Sequence, residues 1–282
     1  MSAGDPTGAG ETPAARAVLA VLLGVGALTG VVFAEPPFLD LGAASWFRDL
    51  WAEGGVHRLA GAVDLMRRIG PWVIAAAVLR AAVTLAVRMF APRLRTPMST
   101  RAALFLVLSL VLGPGLLVNA VLKETWSRPR PGMVTEFGGD LKFMPWWDPR
   151  GGCRTNCSFV SGETSSAVWM TVPAMLAPPA WRAAALGAAA VYALAFAFIR
   201  LLAGGHFPSD VVFAAVFTGL VIWAVHGLLF RWRTTRIDDA GLDALLEGAG
   251  RRVTAAVAAL RQWRTRGAGG QARGDHGRDS GR

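Results

Sequence analysis

Long apolar blocks, almost free of charge, alternate with shorter polar stretches along this chain. Five blocks contain no Asp, Glu, Lys or Arg, and they cover residues 17–34, 102–122, 164–181, 183–199 and 211–230. One further block, 71–90, is interrupted by Arg80 and Arg88, and the six blocks are numbered in chain order below. A helix needs about 20 apolar residues to cross a hydrocarbon core of about 30 Å. The blocks therefore predict an all-α integral membrane protein with six transmembrane helices.

The flanking segments divide the chain into four parts. Residues 1–15 are predicted to be disordered, and residues 16–236 to form the six-helix membrane domain. Apolar positions recur on one helix face between 237 and 265, which predicts a cytoplasmic amphipathic helix on the membrane surface. Residues 266–282 are rich in Gly and Arg, so a disordered basic tail is expected. The block 17–34 is longer than a usual signal core, which favours a retained helix over a cleaved signal peptide.

The positions of the arginines predict how the chain is oriented in the membrane. Arginines cluster in the connection between the second and third blocks and again after the sixth block. Both clusters are expected on the cytoplasmic side of the membrane, with both chain ends inside. The loops 35–70, 124–160 and 200–207 are then expected to face outward.

Composition narrows the class of protein further. A content of 53% hydrophobic and 17% charged residues excludes a disordered chain and an ordinary soluble domain. The net charge of +10 is explained by arginines that flank the membrane, and no motif supports nucleic-acid binding. Two cysteines exclude a disulfide-built scaffold, and the pairing of Cys153 with Cys157 stays open. No cofactor is expected, and the sequence carries no signal for an oligomeric state.

Charged and polar residues stand at the ends of the apolar blocks. They follow the third and fifth blocks and precede the fourth and sixth: Lys123, Arg130, Arg200, Ser161, Gly162, Glu163, His206 and Asp210. Alternating crossings bring all four ends to one membrane face, so an active site is predicted at the outer face. Arginine and lysine side chains bind phosphate, and free N–H groups at a helix start bind anions as well.

His206 and Asp210 are predicted to complete the chemistry of this layer. Asp210 lies four residues after His206, beyond Pro208 at an expected helix start, so its carboxylate should reach one ring nitrogen. That contact would fix the tautomer and leave the other nitrogen free to attack phosphorus. No carboxylate cluster suits a metal ion, and none is expected.

Three spaced motifs resemble those of the type-2 phosphatidic acid phosphatase family: Lys123-x6-Arg130-Pro131, Ser161-Gly162 and Arg200-x5-His206-x3-Asp210. The similarity covers roughly residues 100–230. It implies six helices and metal-free cleavage of lipid phosphates through a phosphohistidine, with His206 as nucleophile and Asp210 as its orienting partner. It also implies the phosphate-binding residues Lys123, Arg130, Ser161, Gly162 and Arg200.

The chain departs from the family pattern at two positions. Glu163 stands where the family has a histidine that protonates the leaving group, and Ile199 stands where it has a serine. Glu163 is therefore the candidate general acid, which requires a protonated carboxyl group. A better leaving group would need less help from a general acid. The change at this position therefore favours a glycosyl 1-phosphate or a diphosphate as substrate. The stretch from Cys157 to Glu163 is similar to the lipid A phosphatase-like branch of the family.

A lipid A-type glycolipid phosphate is accordingly the first substrate hypothesis, with undecaprenyl diphosphate and phosphatidylglycerol phosphate as alternatives. A non-catalytic lipid-phosphate binding or transport protein is a different hypothesis, which the change at Glu163 allows. The pair His206 and Asp210 argues against it, because phosphate binding alone does not require them. For Arg128, anchoring a helix end in lipid headgroups and a role in the site are weighted equally.

Overall fold

The computed structural model describes residues 12–34, 38–53, 55–232, 235 and 237–274, and over these ranges it is all-helical. We number the longer elements α1 (Pro13–Val32), α2 (Phe38–Ala52), α3 (Ala60–Phe90), α4 (Thr100–Thr125), α5 (Gly162–Trp169), α6 (Thr171–Met175), α7 (Pro179–Leu202), α8 (Pro208–Arg231) and α9 (Asp239–Gly274). The segments Val111–Leu122 of α4 and Gly227–Arg231 of α8 are π-helical. No β-strand occurs in the described ranges, as the apolar blocks predict.

Among the described helices, α1, α3, α4, α7 and α8 are long and apolar enough to cross a membrane. This confirms a multi-pass membrane protein. A core that joins α3, α4 and α8 to α5 and α6 contains Phe105, Trp169 and Ile222, which are almost fully buried. The indole of Trp169 donates a hydrogen bond of 2.9 Å to Ser109, so α4 and α5 are also joined by a polar contact.

The fourth apolar block is not one continuous helix, and the prediction of a single span over 164–181 is wrong. It forms α5 and α6, with a break at Met170. Pro173 lacks an N–H and therefore cannot donate to the carbonyl of Trp169, which weakens the helix at this point. At 1.5 Å per residue, neither helix alone reaches the about 30 Å of a hydrocarbon core.

The segment predicted as the loop 35–70 is largely helical. It contains α2, which buries Asp40 and Ala44, and the first part of α3. The polar residues at the start of α3 hide this part from a hydropathy pattern. They form a helical i,i+4 ion pair of 2.9 Å between Arg68 and Asp64.

The predicted disordered ends are only partly within the described residues. The helix α1 begins at Pro13, capped by the Thr12 hydroxyl, and therefore includes the last positions of the segment 1–15. The helix α9 continues to Gly274, into the tail that was expected to be disordered. Residues 1–11 and 275–282 lie outside the described residues, as do Arg233 and Arg236 of the cluster that predicts the orientation.

The helix α9 is attached to the connection between α3 and α4. Asp239, in the first turn of α9, accepts a hydrogen bond of 3.1 Å from the backbone N–H of Arg101. Asp243 accepts a hydrogen bond from the Thr100 hydroxyl and lies 3.6 Å from Arg88. Arginines that predict a cytoplasmic connection therefore also hold the start of α9. Farther along, Val257 is exposed and free to meet a membrane surface.

We expect Gly250→Ala to loosen α9 from α3. A Cβ atom at Gly250 would lie 1.9 Å from the backbone oxygen of Met89, and a backbone atom cannot turn aside as a side chain can. Overpacking of this kind costs about 1–3 kcal/mol. Thermal unfolding and limited proteolysis within α9, both in detergent, measure the effect. Gly248→Ala is the control, because its Cβ would meet only Arg251 at 3.9 Å; equal stability of the two variants would contradict the packing.

Candidate active site at the ends of four helices

The residues predicted to form one layer lie together at one end of the helix bundle. Lys123 is near the end of α4, and a Cβ on Gly162 would lie 3.1 Å from its Nζ atom. Arg200, near the end of α7, lies 3.4 Å from the Glu163 carboxylate at the start of α5. The backbone N–H of Ser161 donates to the Asp210 carbonyl at 3.4 Å, which joins α5 to α8. Four helix ends thus meet around one space.

Ser161 and Gly162 form the N-terminus of α5. The Ser161 hydroxyl accepts hydrogen bonds from the backbone N–H and hydroxyl of Thr164, at 3.3 and 2.8 Å. Gly162 is buried, and the space where its Cβ would stand is filled by Asn119 at 2.5 Å. A larger residue at 162 would therefore push α5 away from Lys123. Sequence analysis missed Asn119, which lies within the π-helical part of α4 and donates a hydrogen bond of 2.6 Å from its side chain to the Pro114 carbonyl.

The imidazole of His206 is buried, with 2% of its surface exposed, in the short connection between α7 and α8. Its Nδ1 lies 2.7 Å from the carbonyl oxygen of Ser158. A carbonyl only accepts hydrogen bonds, so Nδ1 must carry the proton and Nε2 is left with a lone pair. Burial lowers the pKa of His206 to about 4, while neighbouring Asp210 opposes the shift. The ring is therefore neutral at neutral pH.

Asp210 does not make the hydrogen bond to His206 that the sequence predicts. Its Oδ2 is 3.8 Å from the ring Nδ1, beyond hydrogen-bond range. That oxygen instead accepts from the Ser158 hydroxyl at 2.5 Å and from the Phe207 N–H at 2.9 Å. Asp210 therefore orients His206 only indirectly. It binds Ser158, and the Ser158 carbonyl oxygen fixes the tautomer of the imidazole.

Arg128 is completely buried, which excludes the headgroup-anchoring role. Its Nη1 donates to Asp210 at 2.5 Å and to Ser209 at 2.8 Å, and its Nη2 donates to Asp40 at 2.7 Å. The guanidinium also lies 4.6 Å from the ring centre of Phe207, a cation–π contact. One cation therefore bridges two buried carboxylates next to His206.

Asp40 was missed by sequence analysis. It belongs to α2, is 2% exposed, and accepts from Ser209 through both the backbone N–H, at 3.1 Å, and the hydroxyl, at 2.6 Å. Burial raises its pKa, and Arg128 opposes this shift. The sequence carries one signal for Asp40, which is the single acid in the apolar stretch Phe38-Leu39-Asp40-Leu41. An acid that is buried with such neighbours needs a buried partner.

Arg130 and Arg200 supply two further guanidinium groups. Arg130 donates to the backbone oxygen and side-chain oxygen of Asn156, at 2.9 and 2.7 Å, and burial lowers its pKa. Asn156 lies in a loop that the disulfide between Cys153 and Cys157 closes, so these two cysteines do pair. Arg200 is 7% exposed, and its Nε has no hydrogen-bond partner among the described residues. An unpaired buried guanidinium nitrogen favours an anionic ligand.

Glu163 faces two arginines. Arg67 of α3 donates to both carboxylate oxygens, at 3.3 and 3.2 Å, and Arg200 is the second. Sequence analysis assigned no role to Arg67, which stands outside the three motifs. Because α3 was predicted to begin only at residue 71, no pattern placed Arg67 at the site.

A cavity of about 410 Å³ opens beside Glu163. Its polar lining includes Arg67, Asn119 and Lys123. Its apolar lining, from α3, α5 and α7, includes Ile74, Ala167 and Phe196, and Tyr192 lies among them. The cavity therefore suits a molecule that has both an anionic group and an apolar part.

Part of the sequence is similar to known proteins. Residues 102–234 match the model of the PAP2 superfamily. The lipid A 4'-phosphatase of Francisella tularensis subsp. novicida (strain U112) is 40% identical over 132 residues, or 46% of this chain and 60% of that protein. That of Rhizobium leguminosarum is 42% identical over 116 residues, or 41% of this chain and 49% of that protein.

The chain spans about half the length of the curated relatives it matches. No solved structure matches it. The segment 102–234 contains Lys123, His206 and Asp210, whereas Arg67 and Asp40 come from helices outside it. This segment, just under half of the chain, is similar to the PAP2 superfamily.

Proposed function

We propose that this protein is a membrane lipid phosphatase that works through a phosphohistidine at His206. The observation that carries the proposal is the state of the His206 ring: buried, neutral, and fixed in the tautomer that leaves Nε2 free. Arg130 and Arg200 are near enough for their charges to act on the ring. A nucleophilic nitrogen among guanidinium groups is the arrangement that phosphoryl transfer to histidine needs.

The reaction has two steps. The Nε2 lone pair attacks phosphorus, the N–P bond forms, and the bond from phosphorus to the lipid oxygen breaks. That oxygen takes a proton, and the ring, still protonated at Nδ1, becomes cationic. Water then attacks the phosphoryl group, which releases inorganic phosphate, a proton and neutral His206. No step uses a metal ion, so turnover in EDTA is expected.

We propose that Lys123, Arg130, Arg200 and the N-terminus of α5 at Ser161 and Gly162 bind the phosphate. The buried Nε of Arg200 supports this, because a phosphate oxygen would supply its missing partner. Positive groups that are already in place when charge develops lower the barrier to phosphoryl transfer.

Glu163 is the proposed proton donor to the leaving oxygen. In the described structure two arginines hold its carboxylate. A phosphate dianion would compete for Arg200 and place negative charge next to Glu163, which favours the protonated carboxyl. A protonated Glu163 carboxyl holds Arg67 less strongly, so Arg67 becomes available to contact the substrate.

The proposed substrate is a lipid A-type glycolipid phosphate. Two observations support it: the cavity is lined by apolar residues as well as by Lys123 and Gly162 of the proposed phosphate site, and the matched relatives carry the name lipid A 4'-phosphatase. Their name places the scissile phosphate at the 4' position, so a 4'-phosphate is the first substrate to offer. Undecaprenyl diphosphate and phosphatidylglycerol phosphate remain the comparison substrates, because the same site would accept them.

The proposed location is a bacterial inner membrane, with the site facing the periplasm. The relatives are bacterial, and the arginine-rich connection between α3 and α4 lies at the end of α4 opposite Lys123. A cytoplasmic connection therefore places the site outside. We propose that α5 and α6 together complete the sixth crossing.

His206→Ala should abolish phosphate release while lipid binding persists. The reason is that the substitution removes the nucleophile and keeps the cationic groups. The measurement is phosphate release in EDTA by detergent-solubilised protein, together with binding of a lipid phosphate. His57→Ala is the control, because His57 is exposed and remote from the motifs. Unchanged release by His206→Ala would contradict the proposal, and folded wild type that binds but never hydrolyses would favour a binding protein.

Arg200→Lys should lower kcat/KM on the order of 100-fold, because a lysine replaces a forked donor by a point charge. The measurement is initial rate against substrate concentration. Arg182→Lys on the same helix α7 is the matched control, because Arg182 is exposed. If the two variants show the same rate, Arg200 does not bind the phosphate.

Glu163→Gln should slow the hydrolysis of poor leaving groups more than that of good ones, since only the former need a proton donor. A series of phosphate esters with leaving groups of graded acidity measures this. The exposed Glu136, changed to Gln, is the control. Equal slowing across the series would contradict a proton-donor role and would indicate that Glu163 only holds Arg67 and Arg200 in place.

A further inference from the structure

Two buried acids and one buried arginine lie next to His206. Asp40, Arg128 and Asp210 are each between 0% and 2% exposed. The three hydrogen-bond donors that reach Asp40 are Arg128 Nη2, the Ser209 N–H and the Ser209 hydroxyl. Because all three groups donate, they match the carboxylate form of Asp40, which only accepts. The cluster of Asp40, Arg128 and Asp210 therefore has one negative charge in excess.

Asp40 acts on Asp210 through Arg128. The guanidinium uses Nη1 for Asp210 and Nη2 for Asp40, and its Nε donates to the Met144 carbonyl at 2.9 Å. With Asp40 in place, Arg128 is shared between two carboxylates. Without Asp40, the positive charge of Arg128 would be paired with Asp210 alone. The two charges would then cancel, and Asp210 would stabilise a cationic His206 less.

This charge balance bears on the proposed reaction. When Nε2 of His206 bonds to phosphorus, the ring keeps the proton on Nδ1 and becomes cationic. The excess negative charge of the cluster then matches the new positive charge of the ring. The neighbouring groups Arg130 and Arg200 oppose a cationic ring, whereas Asp210 of the cluster, 3.8 Å from Nδ1, favours it. In the interior, where water cannot screen it, that compensation is large.

We infer that Asp40, from α2, is a positioning residue for the nucleophile. It holds Arg128 in place and supplies the negative charge that stabilises the cationic phosphohistidine. This inference rests on the proposed function, and α2 lies outside the segment that matches the PAP2 superfamily. The part of the chain before that segment is therefore part of the catalytic machinery as well as of the membrane anchor.

Asp40→Asn tests the inference, because it removes the charge and keeps the shape of the side chain. We expect kcat to fall about 10- to 100-fold with KM changed less than about twofold, since the phosphate-binding residues are untouched. Asp49→Asn is the control, because Asp49 is exposed on the same helix α2 and should keep wild-type turnover. Thermal unfolding in detergent reports whether each variant folds.

Ser209→Ala is a milder second variant, which leaves all charges and removes the hydroxyl that donates to Asp40 and accepts from Arg128. It should lower kcat in the same direction by a smaller factor. If Asp40→Asn fails to fold, a Ser209→Ala enzyme with wild-type kcat overturns the inference. A folded Asp40→Asn enzyme with wild-type kcat also overturns it.

Vanadate binding separates this inference from the proposed function. Vanadate forms a bond to a histidine nitrogen in a phosphate site, so its affinity reports the nucleophile without turnover. Weaker vanadate binding by Asp40→Asn than by Asp49→Asn supports the positioning role even if wild type hydrolyses no lipid offered. Hydrolysis by wild type together with equal vanadate affinity and turnover in both variants refutes only the role of Asp40.

Discussion

The site depends on a guanidinium that is fully buried between two carboxylates. Arg128 has no exposed surface, so its charge is stable only because Asp40 and Asp210 compensate it. Removing Arg128 from this cluster would leave two uncompensated buried carboxylates, at a cost of about 3–5 kcal/mol. The cluster therefore fixes the positions of three segments: α2, the chain after α4, and the first turn of α8. His206 lies directly before that turn.

This arrangement accounts for the indirect orientation of the imidazole. The Asp210 oxygen nearest the ring is used by Ser158 and Phe207, and the Ser158 carbonyl is left to receive the ring proton. A carbonyl fixes the same tautomer as a carboxylate but carries no net charge. In the proposed reaction, the negative charge that compensates the cationic ring then comes from the buried cluster rather than from a directly bonded acid.

The sequence predicts the helices better than it predicts the contacts. Charge-free blocks locate the long helices, because the membrane requires about 20 apolar residues in each. They fail at 164–181, where Pro173 interrupts an apolar stretch, and before residue 71, where a helix carries polar residues. The motif spacing places Lys123, Arg200 and His206 in one layer. It does not locate Asp40 or Arg67, since each lies far along the chain and its partner is set by tertiary packing alone.

The most direct test of this account is to identify the residue that carries the phosphoryl group during turnover. Wild type is incubated with a lipid phosphate labelled at phosphorus, quenched in alkali and digested, and the labelled peptide is sequenced. The account predicts a label that survives alkali, is lost in acid, and is attached to His206. Turnover with the label on another residue, or hydrolysis that continues in His206→Ala, would contradict it.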